Sequence, residues 1–96
     1  MVSLIGTSKV ENINGIPNQF IIRDIRGGET FQSYKSTIAY KDVDGIVYLD
    51  KVFWNYSRTT GKYRNIFLNE TRKETEQKIL MGEYSLIHLN WIIITH

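Results

Sequence analysis

Apolar and polar positions change their period once along this chain, near Asp50. Before that point the pattern is that of strands. Gln19-Phe20-Ile21-Ile22-Arg23-Asp24-Ile25 is rich in β-branched and aromatic side chains, Gly27-Gly28 follows as a two-residue turn tolerant of positive φ, and Glu29 to Tyr34 returns beside it. Thr37 to Lys41 predicts a third strand, Asp44-Gly45 is a hairpin dipeptide, and Ile46 to Leu49 predicts a fourth. Phe20, Ile22 and Asp24 share one face of their strand while Ile21, Arg23 and Ile25 share the other. Neither face is purely polar, so both are expected to be partly covered. Upstream, Lys9 to Ile13 reads as a short edge strand, followed by the turn residues Asn14-Gly15 and Ile16-Pro17.

After Asp50 the period becomes helical. Tyr63, Ile66 and Phe67 stand at i, i+3 and i+4 and predict a short helix beginning near Thr59, with Ser57, Thr59 and Thr60 as hydroxyl residues at its start. Thr71-x-x-Glu74 is a capping box that opens a second helix, and Gly82 closes it as a C′ residue after Ile79, Leu80 and Met81. The stretch from Arg72 to Lys78 is almost wholly polar. This helix is therefore expected to face solvent, anchored by its C-terminal end. Tyr84 to Leu89 predicts a last strand. The class that results is α+β: an antiparallel meander of four to five strands, two short helices, then a C-terminal strand.

The 96 residues fit a single domain, 1–96, with a core region at 18–90 and an apolar extension at 91–96. A domain of this size has one modest core. Cysteine is absent, which excludes disulfides and thiolate zinc sites. With 42% hydrophobic and 23% charged residues, the composition is that of a globular chain rather than a disordered one. Met1 to Gly6 lacks the basic and apolar regions of a signal peptide, and no apolar run approaches the roughly 18 residues of a membrane span. A cytoplasmic protein without membrane contact is expected.

Charge is distributed unevenly. The formal net charge is +2, yet residues 51–78 hold seven basic side chains (Lys51, Arg58, Lys62, Arg64, Arg72, Lys73, Lys78) against Glu70, Glu74 and Glu76. The remainder is therefore slightly acidic. Between 51 and 65, Lys51, Arg58, Lys62 and Arg64 interleave with aromatic residues and no carboxylate intervenes. Lys51, Trp54, Tyr56, Arg58, Lys62 and Arg64 are the candidate partner-binding residues. They suit an acidic protein surface, or phosphates with bases stacked on the rings, and equally a solvated helix face with its aromatics packed inward.

Other motifs fail at specific positions. Thr59-Thr60-Gly61-Lys62-Tyr63 departs from the phosphate-loop pattern G-x-x-x-x-G-K-S/T, which needs glycine where Tyr56 stands and a hydroxyl residue suited to magnesium where Tyr63 stands. Gly27-Gly28 lacks the strand-to-helix context of a dinucleotide site. Asp42, Asp44 and Asp50 flank one hairpin without calcium-loop spacing and read as turn formers. His88 and His96 are too few for a histidine-based zinc site, and no G-x-S-x-G elbow exists. No catalytic residue, metal or cofactor is expected.

Trp91, Ile92, Ile93 and Ile94 concentrate large apolar side chains near a chain end. They form either a terminal strand of the domain's own core or a self-association surface giving a homodimer.

Phe31 to Ala39, Val47 to Asp50, and above all Trp54 to Leu68 with its Tyr-Ser-x-Thr-Thr-x-Lys segment resemble a group of small uncharacterised proteins from phages and mobile elements of low-GC Gram-positive bacteria. The resemblance covers residues 18–90. That group often carries aspartate where Asn55 stands, and the extension at 91–96 is peculiar to this chain. The resemblance implies a non-enzymatic phage-type accessory protein that binds a host protein with an acidic surface in the infected bacterium. Inhibition of a bacterial defence system by protein–protein contact is the leading expectation. A nucleic-acid binder using residues 51–65 is the alternative, and a nucleotide-type ligand binder or sponge with a polar pocket near Thr59, Thr60 and Lys62 is the third.

Overall fold

A computed structural model describes residues 6–90. Six strands form one sheet in sequence order: β1 (Thr7–Asn12), β2 (Gln19–Asp24), β3 (Glu29–Ser33), β4 (Ser36–Lys41), β5 (Val47–Asp50) and β6 (Ser85–Ile87). The first five are antiparallel neighbours. Between β5 and β6 the chain crosses through α1 (Arg58–Leu68) and α2 (Arg72–Leu80), so β6 lies parallel to β5, as a helical crossover requires. This is the expected α+β architecture, with β1 as the fifth strand of the meander and β6 as the C-terminal strand.

Register explains which face carries the helices. Ile21, Phe31, Ala39, Leu49 and Leu86 stand directly opposite one another across β2 to β6. This apolar row receives α1, whose Tyr63 and Phe67 complete the buried core with Ile13, Ile38 and Val47. The Phe31 and Phe67 rings stack at 5.8 Å, and each buried side chain of this kind contributes about 1.5–3 kcal/mol. A bulge opposite Phe31 and Gln32 inserts Ile38 into β4, which lets the consecutive residues Ile38 and Ala39 both enter the core. On the other face Tyr40 and Tyr48 pair side by side.

Two hairpins share one construction. Asp24 and Asp42 each use Oδ1 to accept the N–H groups two and four residues ahead, at 2.9 Å, and Gly27 and Gly45 each supply the positive φ of the turn. Each loop therefore has three residues with glycine third. The Gly27-Gly28 pair is thus not a two-residue turn: only Gly27 has positive φ, because the aspartate carboxylate organises a longer loop. Asp42 does form a turn, as the sequence suggested.

The helices differ from their patterns at three places. Ser57 caps α1 by accepting from the Thr60 N–H at 3.1 Å, so the helix begins at Arg58. Its buried residues are Thr60, Gly61, Tyr63, Arg64 and Phe67, whereas Ile66 is exposed. In α2 the capping box and the positive φ of Gly82 stand as expected, yet Leu80 and Met81 point to solvent. The anchors of α2 are instead Ile79 against the core, the buried Thr75, and Lys78, which bonds Glu70 at 2.8 Å.

Asp50 ends β5 and fixes the turn beyond it. Its buried carboxylate accepts from Val52 N and Phe53 N at 3.0 and 2.8 Å through Oδ2, and from Leu89 N and Asn90 N at 2.9 and 3.4 Å through Oδ1. The Asn90 carboxamide then pairs with both backbone groups of Thr37, at 2.7 and 2.9 Å, on the part of β4 that β5 does not reach. One aspartate thus holds both the chain leading into Trp54 and Asn55 and the segment after β6.

Candidate functional site

The candidate site is built by the turn after β5 and one flank of α1. Trp54 donates its N–H to Asp50 O at 3.0 Å and packs half-buried against the core. This places the Trp54 carbonyl and the Asn55 side chain beside α1, where Arg64 Nη1 donates to Trp54 O at 2.7 Å and to Asn55 Oδ1 at 3.1 Å. Nη2 donates to Asn65 Oδ1 at 2.9 Å, and the guanidinium stacks over the Trp54 ring, 5.2 Å from its centroid. Arg64 is fully buried, with Nε unpartnered and no carboxylate bonded to it. Burial draws its pKa below the ordinary value, as does the Arg72 charge, while Glu70 and Glu76 act the other way. An arginine stays protonated under such shifts.

Over this buried cation lies a surface cleft of about 590 Å³, lined by Asn55, Tyr56, Ser57, Arg58, Gly61, Lys62, Arg64, Asn65 and Arg72. Four cations and no carboxylate line it. Arg58 and Lys62 form no ion pair with any described carboxylate, and Arg72 is held by Glu76 at 2.8 Å. Tyr56 is 63% exposed, its ring edge-on to Phe53. A second cleft of about 440 Å³ is lined in part by Lys41 and Lys78. Its charges are matched: Lys78 pairs with Glu70, and Lys41 lies 3.8 Å from Glu29. Unmatched positive charge therefore distinguishes the first cleft.

Of the six candidate residues, the structure gathers Tyr56, Arg58 and Lys62 on the cleft surface. Arg64 also lines it but is buried and engaged within the protein, with Trp54, Asn55 and Asn65 as its acceptors. Trp54 is turned toward the core beneath Arg64, and Lys51 is exposed away from the cleft. Thr60 faces β3, its hydroxyl 3.2 Å from that of Ser33, so the polar cleft involves Lys62 without Thr60. Arg72, Asn65 and Gly61 join the site unforeseen. Helical spacing from Arg58 through Lys62 to Asn65 was the signal for one of them. Trp91, Ile92, Ile93 and Ile94 lie outside the described residues.

Among the described residues there is no group of three or more His, Asp or Glu side chains arranged to hold a metal ion, and no helix long and apolar enough to cross a membrane. The sheet, its helical crossover and the cationic cleft define a small α+β protein with a polar, positively charged cleft on its surface. The chain belongs to a family of unknown function, DUF8033, matched over residues 5–83. That span includes every residue lining the cleft. No curated protein and no solved structure matches the chain.

Proposed function

We propose that this protein is a non-enzymatic accessory protein of phage type that binds an acidic host protein through the Tyr56, Arg58, Lys62 and Arg72 cleft, and so inhibits a bacterial defence system. The observation that carries this reading is a cleft with four cationic side chains and no carboxylate, on a chain whose remaining side chains are slightly acidic in sum. Complementary potential of this kind speeds encounter and selects partners, and an exposed tyrosine beside arginines has the composition of a binding hot spot. Its action would be in the cytoplasm of the infected cell. The phage assignment rests on the resemblance of residues 18–90.

The nucleic-acid alternative draws less support from the geometry. Trp54 is covered by Arg64 and Lys51 stands apart, which leaves Tyr56 as the one aromatic lining residue for stacking. Capture from host lysate tests the proposal, with wild type compared against Arg58→Glu combined with Lys62→Glu. Loss of an acidic protein from the variant's partners is expected. Identical partner sets would remove this surface from consideration.

A further inference from the structure

The floor of the cleft has a construction that general surface attraction does not require. A guanidinium only donates, so the carboxamides of Asn55 and Asn65 must both turn their oxygens toward Arg64. Their NH2 groups are thereby directed away from Arg64, and both residues line the cleft. Arg64 spends three of its five N–H groups on Trp54, Asn55 and Asn65, and its buried Nε has no partner. A second observation comes from Gly61. Glycine is the poorest residue after proline in a helix interior, yet Gly61 stands inside α1 with no positive φ to require it. The nearest side-chain atoms to a Cβ there would be those of the Arg64 guanidinium, at 3.7 to 3.9 Å, which is ordinary contact. A methyl group would fit there without a clash, and the glycine keeps it off the guanidinium.

We propose that Gly61, Arg64 and the carboxamides of Asn55 and Asn65 form an anion subsite that takes the phosphoryl group of a phosphomonoester. Two amide donors backed by a buried positive charge, with Arg58, Lys62 and Arg72 along the same cleft, supply more donors and charge than the two oxygens of a carboxylate use. The three terminal oxygens and double charge of a phosphomonoester match that supply. Arg64 acts as a positioning residue: it orients the amides and lends its field through them. This assignment rests on the reading of the cleft as the recognition face and specifies the chemistry that face prefers.

Full-length protein titrated by calorimetry with inorganic phosphate, a phosphoserine peptide, a nucleoside 5′-monophosphate and acetate tests it. Phosphate and both monoesters should bind about tenfold or more tightly than acetate, a gap of one charge-assisted contact. A tighter phosphopeptide identifies a protein source of the group, a tighter nucleotide a free one. Asn55→Asp places a carboxylate against Arg64, and Gly61→Ala fills the floor. Each should weaken phosphate binding about tenfold or more while melting temperature holds or rises, so lost folding cannot mimic lost binding. Absence of phosphate binding, equal affinity for acetate, or wild-type affinity in both variants overturns the proposal. Lysate capture that depends on Arg58 and Lys62 without phosphate binding would refute this subsite and leave the host-protein reading standing. Phosphate binding with unaltered capture would do the reverse.

Discussion

Trp54 holds Arg64 twice, accepting Nη1 on its carbonyl at 2.7 Å and offering its ring face 5.2 Å from the guanidinium carbon. A fully buried cation with no bonded carboxylate is tolerable only because neutral acceptors and an aromatic face replace water. Arg64→Ala would leave Trp54 O and two carboxamide oxygens without their donor and open a void. We expect a loss of about 3 kcal/mol in denaturant unfolding. Arg64→Lys keeps the charge but lacks the planar fork that reaches three acceptors, so it should lose about 1–2 kcal/mol. Stability equal to wild type in both would mean that the guanidinium does not organise this turn.

Asp50 makes a different prediction, because it joins two segments far apart in sequence. Asp50→Ala removes the acceptor for Val52, Phe53, Leu89 and Asn90. Unfolding free energy should fall by about 2–4 kcal/mol. Asn90→Ala should be milder, about 1 kcal/mol, and should raise hydrogen exchange at the Thr37 N–H, which Asn90 Oδ1 accepts. Unchanged protection of Thr37 in that variant would contradict the pairing.

Gly28 sits where no side chain fits. A Cβ there would overlap the Tyr40 hydroxyl and lie 2.6 Å from Asp24 Oδ2, the two groups that bond each other at 3.0 Å. Gly28→Ala should cost about 2–3 kcal/mol, and Tyr40→Phe in the same chain should recover part of that loss by vacating the space. A double-mutant cycle that adds without coupling would contradict this geometry.

Stability should fall at both pH extremes for separate reasons. Burial pushes Glu70 up, but bonds from Lys78, Thr75 and Tyr84 outweigh it and hold its carboxyl below the ordinary value. Its contribution is therefore present above the ordinary carboxylate range, about 4.3, and is lost as pH falls through the depressed folded value. Glu70→Gln should flatten that acid limb. Burial, then the bond to Asp24, raises Tyr40 to about 12. The neutral phenol is favoured in the fold, so its contribution is complete below about 10 and disappears as pH rises through about 12. Tyr40→Phe should reduce the alkaline loss, with Tyr84, also raised, sustaining what remains. Melting curves across pH check both limbs; an unchanged acid limb in Glu70→Gln would contradict the first.

Most of the architecture was legible because its signals are local. The β-branched run at Gln19–Asp24, the Thr71 and Glu74 box and Gly82 each act within a few residues of themselves. The features that escaped the sequence depend on distant partners. The bulge that turns Ile38 inward exists because β3 offers Phe31 opposite Ala39. Arg64 reads as a surface charge until Asp50 has folded the chain so that Trp54 and Asn55 receive it. The same dependence divides the candidate site: Arg58 and Lys62 follow from helical spacing, whereas Arg72 reaches the cleft only through the α1 to α2 corner.

The most direct measurement is a nuclear magnetic resonance titration of the nitrogen-labelled full-length chain with inorganic phosphate and, separately, with a short polyglutamate peptide. Recognition of anions by the cleft predicts saturable shifts concentrated at the Asn55 and Asn65 side-chain amides and the Gly61 and Lys62 backbone, larger for phosphate and lost in Asn55→Asp. Shifts spread evenly over Lys9, Lys35 and Lys51, or none at the cleft with either probe, would contradict it.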